Sequence, residues 1–258
     1  MKHCLFLLVF IPSLLYGQKV IETKLIIHTP IQSAELLAID NFETRYHVTN
    51  NTLYKTTETA TLSYHNFQLG NLTTINVFNP LKTVLFYKDF NTVILLDNRL
   101  SEIFKIDFNT IQPYKNILLA SPGNDNHLWL FNLNTQAVER FDFKHQETKA
   151  KTLPINDTPL DLISDYNYCW LLTETHLYKY NYFGSLVYKI ENKGYKAIKQ
   201  FNGRLFVLKG NTLLTYLEND NTFALIETPD LLIKQFFVTG ESLYLYTDKT
   251  LSKFHLKL

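Results

Sequence analysis

Cysteine is almost missing from this chain: 258 residues carry two, Cys4 and Cys169. With Cys4 inside a leader-like stretch, Cys169 stands alone in the remainder, so no internal disulfide framework can staple the fold. Its apolar neighbours Tyr168, Trp170 and Leu171 make it a buried small hydrophobe. An excess of one charge sign is missing too, with 25 Lys and Arg against 24 Asp and Glu. That balance excludes a global field drawing in nucleic acid or an anionic membrane, and any charge-based recognition must be local. Long hydrophobic runs are absent: the longest, Leu5 to Leu15, has 11 residues, where a membrane-spanning helix needs about 20. Helical periodicity is short and interrupted by β-branched and aromatic residues.

Chemical signatures are equally scarce. There is no G-x-S-x-G, H-E-x-x-H, Walker loop or G-x-G-x-x-G, which removes the commonest hydrolase and nucleotide-binding arrangements. His28, His47, His65, His127, His145, His176 and His255 form no i, i+3 or i, i+4 ligand pair, so no metal and no cofactor is expected. The chain is therefore read as not an enzyme, with no catalytic residues assigned.

What is present is apolar and aromatic material, 46% and 14% of the residues with only 19% charged, enough for a sizeable core. Met1 to Gly17 places Lys2 before an apolar stretch and a small residue, the build of a secretory signal peptide. The expected organisation is a leader over 1–17 and one domain over 18–258, exported or periplasmic, with no transmembrane segment in the mature chain.

A loose repeat fills the rest. Leu81 to Asp107 reads as an apolar run, a polar turn, a second apolar run, another turn and an alternating strand: a β-meander. Aligning the second strand of each unit gives Tyr46, Val93, Leu128, Trp170, Leu205 and Leu243, spaced by 47, 35, 42, 35 and 38 residues, the range of a propeller blade. Pro30, Pro80, Pro113, Pro154 with Pro159, and Pro229 precede first strands, with Gly194 in the remaining place. Proline lacks a ladder donor and belongs in connections between sheets. The fold class expected is all-β, a six-bladed β-propeller of four-stranded antiparallel blades. The last unit has only three strands before the sequence ends, so Val20 to His28 is expected to complete it and close the ring. A β-sandwich, or five or seven blades, is the alternative.

On this frame the residue two places after each inter-sheet proline or glycine rings one mouth of the channel: Gln32, Lys82, Lys115, Asp161, Lys196 and Leu231. Lys82, Lys115 and Lys196 would form a basic rim flanked by Arg99, Lys209 and Lys249. Lys82, Lys115, Asp161, Lys196 and Arg99 are the candidate partner-binding residues. Replacing Lys82, Lys115 and Lys196 together with Glu is expected to leave the fold intact. The recurring turn acids Asp40, Asp89, Asp125, Asp165 and Glu241 are read as backbone caps.

The segment Asn79 to Ile106, NPLKTVLFYKDFNTVILLDNRLSEIFKI, resembles a family of exported propeller-like proteins of Bacteroidota-type bacteria, and within it is similar to the plug component of type IX secretion translocons. The resemblance implies a soluble periplasmic protein, monomeric by itself, with a protein partner at an outer-membrane translocon and no catalytic residues. The expected function is a non-catalytic cell-envelope interaction scaffold. The alternative is a carbohydrate-binding or hydrolytic propeller using Asp161 or the turn acids at the channel.

Overall fold

The computed structural model describes residues 19–31, 36–57 and 59–257. The expected leader, Cys4 and Gln32 lie outside the described residues. Six antiparallel sheets are arranged radially as a β-propeller. Their innermost strands are Leu36–Ile39, Thr74–Asn76, Ile117–Pro122, Pro159–Ser164, Tyr195–Phe201 and Gln235–Thr239. No described helix is long and apolar enough to cross a membrane.

The second and third strands of blades 2 to 5 are largely buried on both faces because each sheet is sandwiched between neighbours, whereas those of blade 1, Arg45–Thr49 and Thr52–Thr56, alternate buried and half-buried residues. In blade 2, Thr83–Tyr87 and Thr92–Leu96 are buried throughout. Alternation then divides each strand between two interfaces. Leu85 and Tyr87 pack towards blade 1 with Tyr46, Val48 and Leu53, while Val84 and Phe86 pack towards blade 3 with Leu128, Leu130 and Phe141. Trp129 and Phe131 face Cys169 and Leu171 across the next interface, and Trp170 and Leu172 face Leu205 and Val207 across the one after. Each such side chain contributes about 1.5–3 kcal/mol on burial, so the interblade packing holds neighbouring blades together. Cys169 is indeed a buried member of this packing, and burial pushes its thiol well up.

Ring closure follows the expectation and adds a detail. Thr23–Pro30 pairs antiparallel with Thr250–Leu256 as the fourth strand of blade 6, Thr23 opposite Leu256 and Pro30 opposite Thr250. The strand expected as one piece from Val20 is broken at Glu22. Val20–Ile21 instead pairs in parallel with Thr222–Ile226 and gives blade 5 a fifth strand, and Ile21 enters the core between blades 5 and 6. The described packing between blades 6 and 1, built on Ile39, Phe237, Tyr244, Tyr246 and Leu251, is joined by a polar stitch. Glu43, in the first turn of blade 1, accepts from Lys253 Nζ at 2.7 Å and from Ser242 Oγ at 3.1 Å. Burial alone would raise the Glu43 carboxyl, but the Lys253, Tyr244 and Ser242 contacts outweigh it and hold it below its ordinary value.

Blade 2 corrects the strand frame. Its innermost strand is Thr74–Asn76, a short polar segment, so Val84 and not Val93 opens its second strand. The sequence offered two long apolar runs here, and they are the second and third strands. Pro80 consequently lies in the turn between first and second strands, inside a blade, whereas Pro30, Pro113, Pro154 and Pro229 lie in or beside connections between blades. Because a meander alternates direction, first-to-second and third-to-fourth turns emerge on one face, and second-to-third turns and blade-to-blade connections on the other.

Candidate functional site

A groove of about 650 Å³ runs between blades 3 and 4. One wall is the connection leaving the fourth strand of blade 3, Glu147–Lys151. Ile155 anchors it, buried in the interblade core with its N–H on the Gln136 carbonyl at 2.6 Å. This anchoring leaves Leu153, two residues earlier, 85% exposed. Asp157 ties the far end by accepting from Thr173 Oγ1 at 2.5 Å and from the Thr175 N–H at 3.2 Å. Desolvation works against the Asp157 carboxylate, yet these hydroxyl and N–H donors keep its pKa below the ordinary value.

The opposite wall is the third strand of blade 4, His176–Asn181, and the turn after it. Tyr178 and Tyr180, two apart and so on one face, stack with ring centroids 5.9 Å apart and planes at 8°. Lys189, the cross-strand partner of Tyr178, places its ammonium 5.3 Å from that ring. The Asn181 carboxamide accepts from the N–H groups of Phe183 and Ser185, both at 3.0 Å, curling the turn. Gly184 sits at φ +78°, with Lys151 backbone 3.4 Å from where a Cβ would stand. The positive φ is what favours glycine there, since a Cβ would meet Lys151 only at ordinary contact distance, and Phe183 is left 73% exposed at the tip of the turn. The result is an aromatic wall, an aliphatic lip of Leu153 and Leu186, and cations from Lys151 and Lys189, a composition suited to holding an extended peptide.

The central channel narrows to a cavity of about 120 Å³ whose polar lining is Asn41, Asn76, Ser164, Lys199 and Gln200. Ser164 Oγ meets Ser121 Oγ at 2.7 Å, and Gln200 Nε2 donates to the Ser164 carbonyl at 3.1 Å. Among the described residues no carboxylate lines it, so the described lining does not present the two carboxylates of glycoside hydrolysis. The described residues contain no cluster of three or more His, Cys, Asp or Glu able to hold a metal. Asp40 caps its own turn through the Phe42 and Thr44 N–H groups, both at 2.9 Å, and Asp165 does the same for Asn167 and Tyr168.

The five sequence-selected residues are divided between two faces. Lys82, in the first turn of blade 2, donates to the Asp125 carbonyl of blade 3. Arg99 lies in the third-to-fourth turn of blade 2, exposed on that same face. Lys115 is on the other side in the connection to blade 3, but it is buried against Glu139 at 2.6 Å. Asp161 accepts from the Ile198 N–H at 3.1 Å and stitches the inner strands of blades 4 and 5 together. Lys196 is exposed at a β-bulge between Tyr195 and Ala197. The shared basic rim therefore does not form. Two causes are visible: the shifted frame of blade 2, and recurring bulges at Ile117/Leu119, Pro159/Asp161 and Tyr195/Ala197 that make counting from a proline unreliable. The groove was missed because its walls come from two blades. The exposed aromatic Phe183 beside Gly184 was the signal that could have found it.

No family model and no curated protein matches the sequence. Solved structures do share the fold. Virginiamycin B lyase from Staphylococcus aureus is 13% identical with a TM-score of 0.62, over 86% of this chain and 80% of that one. A chain of a mitotic checkpoint complex is 9% identical at 0.61, covering 98% of both. The extracellular domain of the putative one component system BT4673 from B. thetaiotaomicron is 11% identical at 0.57, over 87% of this chain and 33% of that one. The likeness to the lyase corrects the expectation that the chain is not an enzyme: a protein of this fold is a lyase, and missing motifs do not exclude catalysis.

Proposed function

We propose that the chain is an exported propeller of the cell envelope that binds a protein partner, taking an extended segment of it in the groove between blades 3 and 4. The carrying observation is the exposed cluster of Leu153, Phe183 and Leu186 around the stacked Tyr178 and Tyr180. Contiguous exposed apolar surface around a concave aromatic wall is the usual signature of a protein-binding patch. The leader-like Met1 to Gly17 supports export, as does the extracellular placement printed for one structure of the same fold. The occurrence of the fold within a checkpoint complex supports assembly with other proteins. The similarity of Asn79 to Ile106 to translocon plug components supports an outer-membrane secretion translocon as the partner.

The test is affinity purification of the tagged protein from native membranes, with mass spectrometry of what accompanies it. Leu153→Asp with Phe183→Ala should abolish recovery of the partner while changing stability by less than about 0.5 kcal/mol, as exposed positions do. Undiminished recovery with this pair of changes would place the partner elsewhere on the toroid.

A further inference from the structure

On the face carrying the first-to-second-strand turns, Asn79, Lys82, Asn124, Asp125 and Tyr166 line an open crevice of about 620 Å³ across blades 2, 3 and 4. Behind it lies Arg140, on the third strand of blade 3 and 6% exposed. Its guanidinium carbon stands 3.5 Å from the centroid of the Tyr182 ring, and Tyr182 also hydrogen-bonds with Arg140 and interacts with Asn124 and Asp125 of the crevice wall. Stacking occupies one π face of the guanidinium but leaves its N–H groups to be satisfied in the plane. Among the described residues, Arg140 Nε and Nη1 are buried with no acceptor, and so is Asn124 Oδ1 with no donor. Among the described residues no carboxylate pairs with Arg140, although Lys115, in the connection to the same blade, has Glu139.

A guanidinium cannot shed its proton, and holding it buried without a counter-charge is costly. The surrounding groups do not supply that counter-charge. Lys82 stands beside Lys144, and its pKa is lowered by desolvation and by Lys144 against a partial offset from Asp125. Of the nearby carboxylates, Glu147 is engaged by Lys149 at 2.5 Å, and Asp142 by His145 at 2.8 Å. Lys82 and Lys144 thus lie beside one another with Asp125 offsetting Lys82, and Arg140 has no carboxylate partner among the described residues.

We infer that this crevice is a binding site for a carboxylate-bearing ligand, with Arg140 taking the charge, Lys82 at the lip and a ligand hydroxyl or N–H meeting Asn124 Oδ1. The site is distinct from the interblade groove and stands whether or not that groove binds a protein. Two sources of a carboxylate fit, a free small acid and a sugar acid.

The experiment follows thermal unfolding of the whole chain in sodium succinate and sodium glucuronate, against sodium chloride at matched ionic strength and against glucose. A saturable rise is expected with a carboxylate and not with chloride or glucose, about 2–4 °C at roughly five times the dissociation constant. A larger rise with glucuronate identifies a sugar acid, and a larger rise with succinate a free acid. Arg140→Met removes an unpaired buried charge, so it should melt no lower than the parent and lose the rise entirely. If Arg140→Met does not fold, Lys82→Met decides, with carboxylate binding weakened about threefold. The inference is overturned if neither acid raises the melting temperature beyond chloride, or if the rise survives undiminished in Arg140→Met or, where that variant does not fold, in Lys82→Met.

Discussion

Replacing Lys115 with Met puts the tertiary argument to its hardest test, because the same residue reads from sequence as part of an exposed basic rim. In the structure its ammonium lies 2.6 Å from Glu139 Oε2, with 7% and 2% of the two side chains exposed. Removing one partner of a buried pair costs about 3–5 kcal/mol. Glu139 would retain Asn132 Nδ2 at 3.0 Å and the Thr135 and Thr148 hydroxyls at 2.9 Å, each worth about 1 kcal/mol, which places the loss near the lower end, about 3 kcal/mol. At about 2–4 °C per kcal/mol for a domain of this size, the melting temperature should fall by about 6–12 °C. Urea unfolding gives the free energy directly. Lys115→Met/Glu139→Gln, which removes both charges, keeps one acceptor oxygen for Asn132 and Thr135 and turns an N–H towards the Thr148 hydroxyl, should return to within about 1.5 kcal/mol of the parent. The pH dependence carries a second signature. Burial opposes the Glu139 carboxylate, but Lys115 holds its pKa below the ordinary value, so in the parent this stabilisation is present at neutral pH and is lost as pH falls below about 4.5 through the lower folded value. Without Lys115 burial prevails, the carboxyl takes up its proton more readily, and the deficit of Lys115→Met should shrink as pH falls. A loss below about 0.5 kcal/mol, or a deficit that does not change with pH, would refute the buried-pair reading. For the same reason the triple Glu replacement of Lys82, Lys115 and Lys196 should not leave the fold intact: Lys115→Glu would set two buried carboxylates side by side.

The closing seam gives a milder test: Glu43→Gln should cost about 0.5–1 kcal/mol near neutral pH, since the pair with Lys253 is partly solvated. The folded Glu43 pKa is depressed from 4.5, so that cost should disappear as pH falls below that value, and a pH-independent difference in urea midpoints would contradict it. Ile21→Ala should destabilise by about 2 kcal/mol and speed proteolysis between Lys19 and Lys24, because Ile21 belongs to the core between blades 5 and 6; unchanged proteolysis would argue against the two-blade strap. Cys169 should be silent to a thiol reagent in the native state and react stoichiometrically in denaturant, as its buried, raised-pKa thiol requires, and native labelling would show that this interface opens.

The amino-acid pattern alone determined the architecture and most of its boundaries. Doubly apolar strands such as Trp170–Leu172 and Leu205–Val207 need a neighbour on each face, and six such units in meander order have few solutions besides a closed ring. Closure by the segment before blade 1 also followed from the sequence, because a three-stranded last unit needs a fourth strand. Blade 2 escaped this reading, since Thr74–Asn76 is short and polar and its place at the axis is assigned by pairing with Val84–Phe86 rather than by its own hydrophobicity. Only the tertiary structure decided which polar groups meet. Lys115 finds Glu139 on another strand and Asp161 finds the next blade's backbone, just as the apolar Leu153 and Phe183 come to line one groove from two blades. Those meetings depend on bulges, turn geometry and blade packing, which shift a side chain by one position or one face without altering the hydrophobic period that made the fold legible.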